Sequence, residues 1–193
     1  MTINEKIAAL RAKMAQAGVD ALVIPTSDPH MSEYIPEAWK ARKEFSGFTG
    51  SAGTLVVTKE ESGLWTDGRY FIQAENQISG SEIKLFRMRE KGVPTVEEYL
   101  ADTQAGKTVA VDGSIYPAST GLLLQEKLEK VGASLVSEDL VMPVWQDRPE
   151  LPHTPAYVLD VKYAGLTPAE KLAQVLEAGR LAPGGTIIEP TSG

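Results

Sequence analysis

The chain has 193 residues, a formal net charge of −7, no cysteine and 42% apolar residues. The apolar fraction suffices for a packed core, and the acidic balance disfavours nucleic acid or an anionic membrane as a main partner. Without Cys there is no disulfide framework, thiolate zinc site or Cys nucleophile. The N-terminal MTINEKIAALRAKM is charged and amphipathic rather than an apolar signal core, and no apolar run approaches membrane-spanning length, so a cytoplasmic protein is expected.

Residues 4–17 place Ile7, Leu10, Met14 and Ala17 at helical spacing, which predicts a surface helix with one buried stripe, ended by Gly18. Ala21-Leu22-Val23-Ile24 reads as a short buried strand closed by Pro25. The polar loop 27–35 follows directly, where ligands lie in open α/β sheets. Asp28, His30 and Glu33 there resemble a metal or acid–base cluster in composition. The chain has only two His, however, and no second cluster completes a coordination sphere, so loop hydrogen bonding is the favoured reading. A further reading turns this loop, with Tyr34, toward a neighbouring domain or subunit. Ser27, Asp28 and His30 crowd one loop without implying triad geometry. Residues 39–45, WKARKEF, predict a short basic helix with a solvated face.

Residues 45–71, FSGFTGSAGTLVVTKEESGLWTDGRYF, organise the chain. Glycines at 47, 50 and 53 let chain segments approach closely, Thr54 to Thr58 suits a buried strand, and a turn at 59–63 returns it as a hairpin. Asp67 is placed to cap a helix from about Arg69 to Ile78. Arg69, near Trp65, Asp67 and Tyr70, has two readings: a carboxylate-binding guanidinium, or a partner that locks the turn with Asp67, which their closeness in sequence favours.

Strands near 83 and 109, a Thr95-capped helix to about Ala101, and a helix over 119–131 with Leu122, Leu123, Leu128 and Val131 inward come next. A strand near 134 and an apolar strap at 139–145 complete the set. Six strands near 21, 54, 63, 83, 109 and 134 alternate irregularly with helices, which predicts an α/β/α sandwich on a mixed sheet. DRPELPHTP at 147–155 reads as an extended linker, and Thr167-Pro168-Ala169-Glu170 as a capping box opening another helix.

GFTGSAGT and LWTDGRYFIQA, with SDPHMSEYIP, VPTVEEYL, VAVDGSIYP, VWQDRPELP and YAGLTPAEKL in order, resemble the N-terminal domain of Xaa-Pro aminopeptidases of the creatinase/prolidase superfamily, in their three-domain form. The resemblance covers residues 1–176. It implies a ribonuclease H-like layered fold without ribonuclease chemistry, and divides the chain into 1–146, a linker at 147–162, and the start of a truncated second domain at 163–193. It also implies that the two divalent ions of the family, typically Mn, sit in a C-terminal catalytic domain to which no residue here corresponds. The expectation is therefore a non-catalytic domain, with neither catalytic residues nor a metal or other cofactor of its own. Its partners would be a second copy, as a dimer or other homo-oligomer, or the catalytic domain, with peptide substrate met only through a full-length parent. Substrate-access or interface candidates are Asp28, His30, Glu33, Tyr34, Trp65, Asp67, Arg69 and Tyr70. The alternative is a stand-alone peptide- or carboxylate-binding module, which would need a pocket joining Asp28 and His30 to Arg69 and Tyr70. Residues 178–193, AGRLAPGGTIIEPTSG, depart from this pattern and resemble the approach to the substrate loop of pyridoxal-phosphate-dependent cysteine synthases, but with no cofactor lysine or phosphate loop, so no pyridoxal chemistry is expected.

Overall fold

The computed structural model describes residues 1–179 and 184–186. The expectations for most of the C-terminal tail lie outside the described residues. Two compact units are present, Met1–Leu151 and Pro152–Gly193.

In the first unit, helix α1 (Ile3–Ala17) opens with a capping box between Thr2 and Glu5 and ends at Gly18 in the left-handed region. It buries Ile7, Leu10 and Met14, the predicted stripe. Strand β1 (Ala21–Pro25) follows. A single 3-10 turn (Glu37–Trp39) and helix α2 (Ala41–Ser46) precede the hairpin of β2 (Thr54–Thr58) and β3 (Ser62–Thr66). Helix α3 (Phe71–Ile78), β4 (Ile83–Arg87), α4 (Val96–Thr103), β5 (Thr108–Val111), α5 (Ala118–Glu129) and β6 (Ser134–Ser137) complete it.

The strands form one sheet in the order β4-β3-β2-β1-β5-β6. Strand β2 runs antiparallel to both neighbours, and the other pairings are parallel. The hairpin thus inserts one reversed strand into an otherwise parallel sheet. Period-two alternation sorts side chains between two cores. Leu22, Ile24, Leu55, Val57 and Leu64 face α1, α2 and α3, with Phe45, Phe48 and Ile78. Val23, Val56, Trp65, Val109 and Val111 face α4 and α5, with Leu100, Leu124 and Leu128. The result is the three-layer α/β/α sandwich on a mixed sheet. The strap after β6 closes the first core through Leu140 and Trp145. Its Arg148 then donates from Nε to the Ala38 carbonyl at 2.6 Å and lies over the Trp39 ring.

The second unit holds α6 (Val161–Ala164) and α7 (Pro168–Glu177). The Thr167–Glu170 capping box and Pro168 in the first turn of α7 are as predicted.

Two expectations need correction. Asp67 does not cap α3: the helix starts behind Tyr70, which has no side-chain cap, and the Asp67 carboxylate is engaged by Arg69. Leu122 and Leu123 do not point inward; they are 66% and 63% exposed, while Leu124 and Leu128 are fully buried. Six residues span about one and two-thirds helical turns, so Leu122 cannot share a face with Leu128, whereas Leu124 can. Leu124→Ala should therefore lower unfolding free energy by about 2–5 kcal/mol, against less than about 0.5 kcal/mol for Leu123→Ala, in urea titrations. Equal losses would contradict this facing of α5.

Candidate functional site

A hollow in the first unit opens at the carboxyl end of β1. It is lined by Pro25 and Thr26, by Glu33, Tyr34 and Ile35 of the following loop, by Trp39, Lys40, Arg42 and Lys43, and by Thr49, Gly50 and Ser51. Its volume is about 240 Å³.

Arg42 builds this hollow. It is only 4% exposed, in a segment whose sequence reads as a solvated basic face. Its Nε donates to Thr26 Oγ1 at 3.0 Å, its Nη1 to the Phe48 carbonyl at 2.5 Å, and its Nη2 to the Gly50 carbonyl. The guanidinium also lies over the Phe48 ring, 4.7 Å from its centroid. Burial pushes it down to about 10, because the charged form has lost water. One side chain thus ties the end of β1, helix α2 and the glycine loop together.

Two of the loop glycines serve close approach. A Cβ on Gly50 would meet the Phe48 ring at 2.3 Å, and one on Gly53 would sit 2.8 Å from the Trp65 carbonyl. Thr26 donates from its N–H and its hydroxyl to the Gly53 carbonyl, at 3.1 and 2.7 Å. Thr66 Oγ1 donates to the Ala52 carbonyl at 2.7 Å. The loop is held from both sides.

Seven of the eight predicted residues divide into three groups. Asp28 is buried, and its Oδ1 accepts from the backbone N–H groups of His30 and Ser32 at 2.9 and 3.0 Å. Burial raises its carboxyl, but the bonds from Ser32 and His30 outweigh that and leave it below the ordinary range. This is the loop-organising role the composition suggested. His30, Glu33 and Tyr34 are exposed, and Glu33 and Tyr34 line the hollow. Asp67, Arg69 and Tyr70 form a separate corner. Arg69 Nε and Nη2 donate to the two Asp67 carboxylate oxygens at 2.9 and 2.8 Å, and the Tyr70 hydroxyl lies 2.7 Å from Ser51 Oγ. The turn-locking reading of Arg69 therefore describes the geometry.

Trp65 is a correction: it is fully buried in the α4–α5 core, stacked on Phe86 at 3.9 Å, and its Nε1 donates to the Pro94 carbonyl. It is unavailable for substrate access. The hollow also does not join Asp28 and His30 to Arg69 and Tyr70; it joins residues 33–35 to 49–51. Arg42 is the residue that sequence reasoning missed. The signal was present: Ala38, Ala41 and Phe45 are buried at helical spacing, and position 42 falls inside that stripe.

Among the described residues, no three His, Cys, Asp or Glu side chains are placed to hold a metal ion. The site offers hydrogen-bond donors and an aromatic wall rather than a coordination sphere. No helix among the described residues is long and apolar enough to cross a membrane.

The Arg69 hydrogen bonds hold the Asp67 carboxyl down at about 2. Its ordinary value is about 3.9, so the stability it adds is fully present above about pH 4 and is lost as pH falls toward about 2. Asp67→Asn should lower the urea midpoint at about pH 6, and the gap to the parent should close near about pH 2. A gap independent of pH would show that the pair contributes nothing through ionisation.

The Creatinase/Prolidase N-terminal domain family matches residues 6–142. Aminopeptidase P2 of Arabidopsis thaliana is 42% identical over 193 residues, covering 94% of this chain and 27% of its own length. The probable Xaa-Pro aminopeptidase P of Sordaria macrospora is 42% identical over 182 residues, covering 91% of this chain and 30% of its own. The chain thus spans less than a third of the length of these relatives. Among solved structures, the X-prolyl aminopeptidase of Caenorhabditis elegans, described as a cytosolic enzyme with a di-nuclear active site, superposes with a TM-score of 0.79 at 34% identity. That match covers 94% of this chain and 32% of that one. The N-terminal domain of the cytoplasmic peptidase PepQ from Mycobacterium tuberculosis gives a TM-score of 0.54 at 27% identity over 73% of this chain and 98% of that one. The chain belongs to the creatinase/prolidase N-terminal domain family and is an N-terminal domain of the Xaa-Pro aminopeptidase type.

Proposed function

We propose that this chain is a non-catalytic domain that governs access to a peptidase active site carried elsewhere. The observation that carries the reading is the length relation: nearly the whole chain aligns, at 42% identity, with 27% of a plant aminopeptidase. The di-nuclear centre named for the C. elegans relative would need a cluster of carboxylates and imidazoles. The donor set among the described residues does not fit it.

In this reading the exposed Glu33 and Tyr34 face a neighbouring domain or subunit. Both stand on a loop fixed from below by the buried Asp28 carboxylate. A rigid wall of this kind excludes long or folded substrates by shape, which alters the binding of large peptides more than the chemistry on small ones. The linker and second domain then begin beyond the first unit, and cytosolic residence follows by analogy with the worm enzyme.

Two outcomes are expected. The purified chain with Mn²⁺ and an Xaa-Pro peptide should release no N-terminal residue, and robust turnover would refute the non-catalytic reading. By light scattering the chain should run heavier than a monomer. The exposed Leu172 and Leu176 of α7 are the proposed contact, so Leu172→Glu should return it to monomer mass. A monomeric parent chain would remove the oligomer from the proposal.

A further inference from the structure

Arg42 is a buried charge without a counter-charge. Among the described residues it forms no ion pair, and its acceptors at Thr26, Phe48 and Gly50 are all neutral oxygens. A guanidinium carries five N–H donors. Those bonds use the Nε donor and one donor on each terminal nitrogen, leaving one on each.

The hollow that Arg42 lines has an uneven charge. Lys40 and Lys43 also line it, and both pair with the same carboxylate, Glu37, at 2.5 and 3.0 Å. Glu33 lines it as well. Of the charged residues that line the hollow, three are cations and one, Glu33, is a carboxylate, and neither Glu33 nor Glu37 pairs with the buried cation. Tyr34, Ile35 and Trp39 supply an apolar lining. At about 240 Å³ the space is smaller than a drug-sized site and suits a small molecule.

We propose that this hollow is a binding site for a small aromatic or aliphatic carboxylate. Its two oxygens take the remaining donors of Arg42 in the forked geometry that guanidinium and carboxylate share. Its apolar part lies against Ile35 and Trp39, and Lys40 and Lys43 attract it at the mouth. Inorganic phosphate shares the oxyanion chemistry but cannot use the apolar wall. The site shares Glu33 and Tyr34 with the proposed access wall, but in this chain both side chains are exposed, so the hollow can be tested without a catalytic domain.

The test is a titration of the isotopically labelled full chain with benzoate, benzamide and inorganic phosphate, followed by backbone amide NMR. Benzoate should give saturable shifts confined to residues 26, 33–35, 39–43 and 48–51. Benzamide, its uncharged isostere, should bind at least about tenfold more weakly, since it loses a charge-assisted pair. Lys40→Gln combined with Lys43→Gln should weaken benzoate severalfold and flatten its salt dependence without changing Tm, because both side chains are partly exposed. Arg42→Lys should abolish the carboxylate preference; where it unfolds the chain, the lysine pair still decides. No saturation by benzoate, equal binding of benzamide, or shifts located elsewhere would overturn the proposal. Phosphate binding in the absence of benzoate binding would overturn the carboxylate assignment.

Discussion

A single buried guanidinium sets the shape of the carboxyl edge of the sheet. Removing an Arg side chain from water costs several kcal/mol unless its donors are met. Arg42 meets three of its five with oxygens from two places distant in the chain: Thr26 at the end of β1, and Phe48 and Gly50 in the glycine loop. Hydrogen bonds to a charged group are worth about 1.5–3 kcal/mol each, so the loop is strongly coupled to the helix that carries Arg42. The glycines complete the arrangement by letting the Phe48 and Tyr70 rings close over a backbone with no Cβ in the way. Neither feature works alone: the loop carbonyls need a donor, and the donor needs carbonyls brought within reach.

The fold was legible in the chain because the strands announce themselves twice, by composition and by their bounding turns. All six strands fall where short apolar runs predict them, and the hairpin at 54–66 correctly excludes a purely parallel sheet. Helix facing was less legible. In α5 the run Leu122-Leu123-Leu124 offers three apolar candidates for one inward position, and hydrophobicity cannot choose among neighbours on a helix. The sheet chooses Leu124, in step with Leu128. Trp65 fails for a related reason: period two in β3 sends it to the α4–α5 core while Leu64 goes to the other.

The candidate site was half legible. The residues named around it are real features, and Asp28 and Asp67 each hold a turn by accepting backbone N–H groups. What composition could not supply is which of the loops meet across the hollow. Glu33 and Tyr34 meet Thr49 to Ser51, while Arg69 turns back onto Asp67. Arg42 was hidden because a basic residue in a basic segment reads as solvated, and only the burial of Ala38, Ala41 and Phe45 around it reverses that reading.

The division of carboxylates in this region bears on what such a domain contributes. Asp28 and Asp67 are both held below their ordinary range by the hydrogen bonds they accept, and a carboxylate so engaged makes a weak base. Glu37 is engaged by two lysines in the same way. Acidic side chains that fix backbone or balance cations make loops rigid at the expense of proton transfer. Under the proposed access role, loops held in this way would form the wall that a large polypeptide meets.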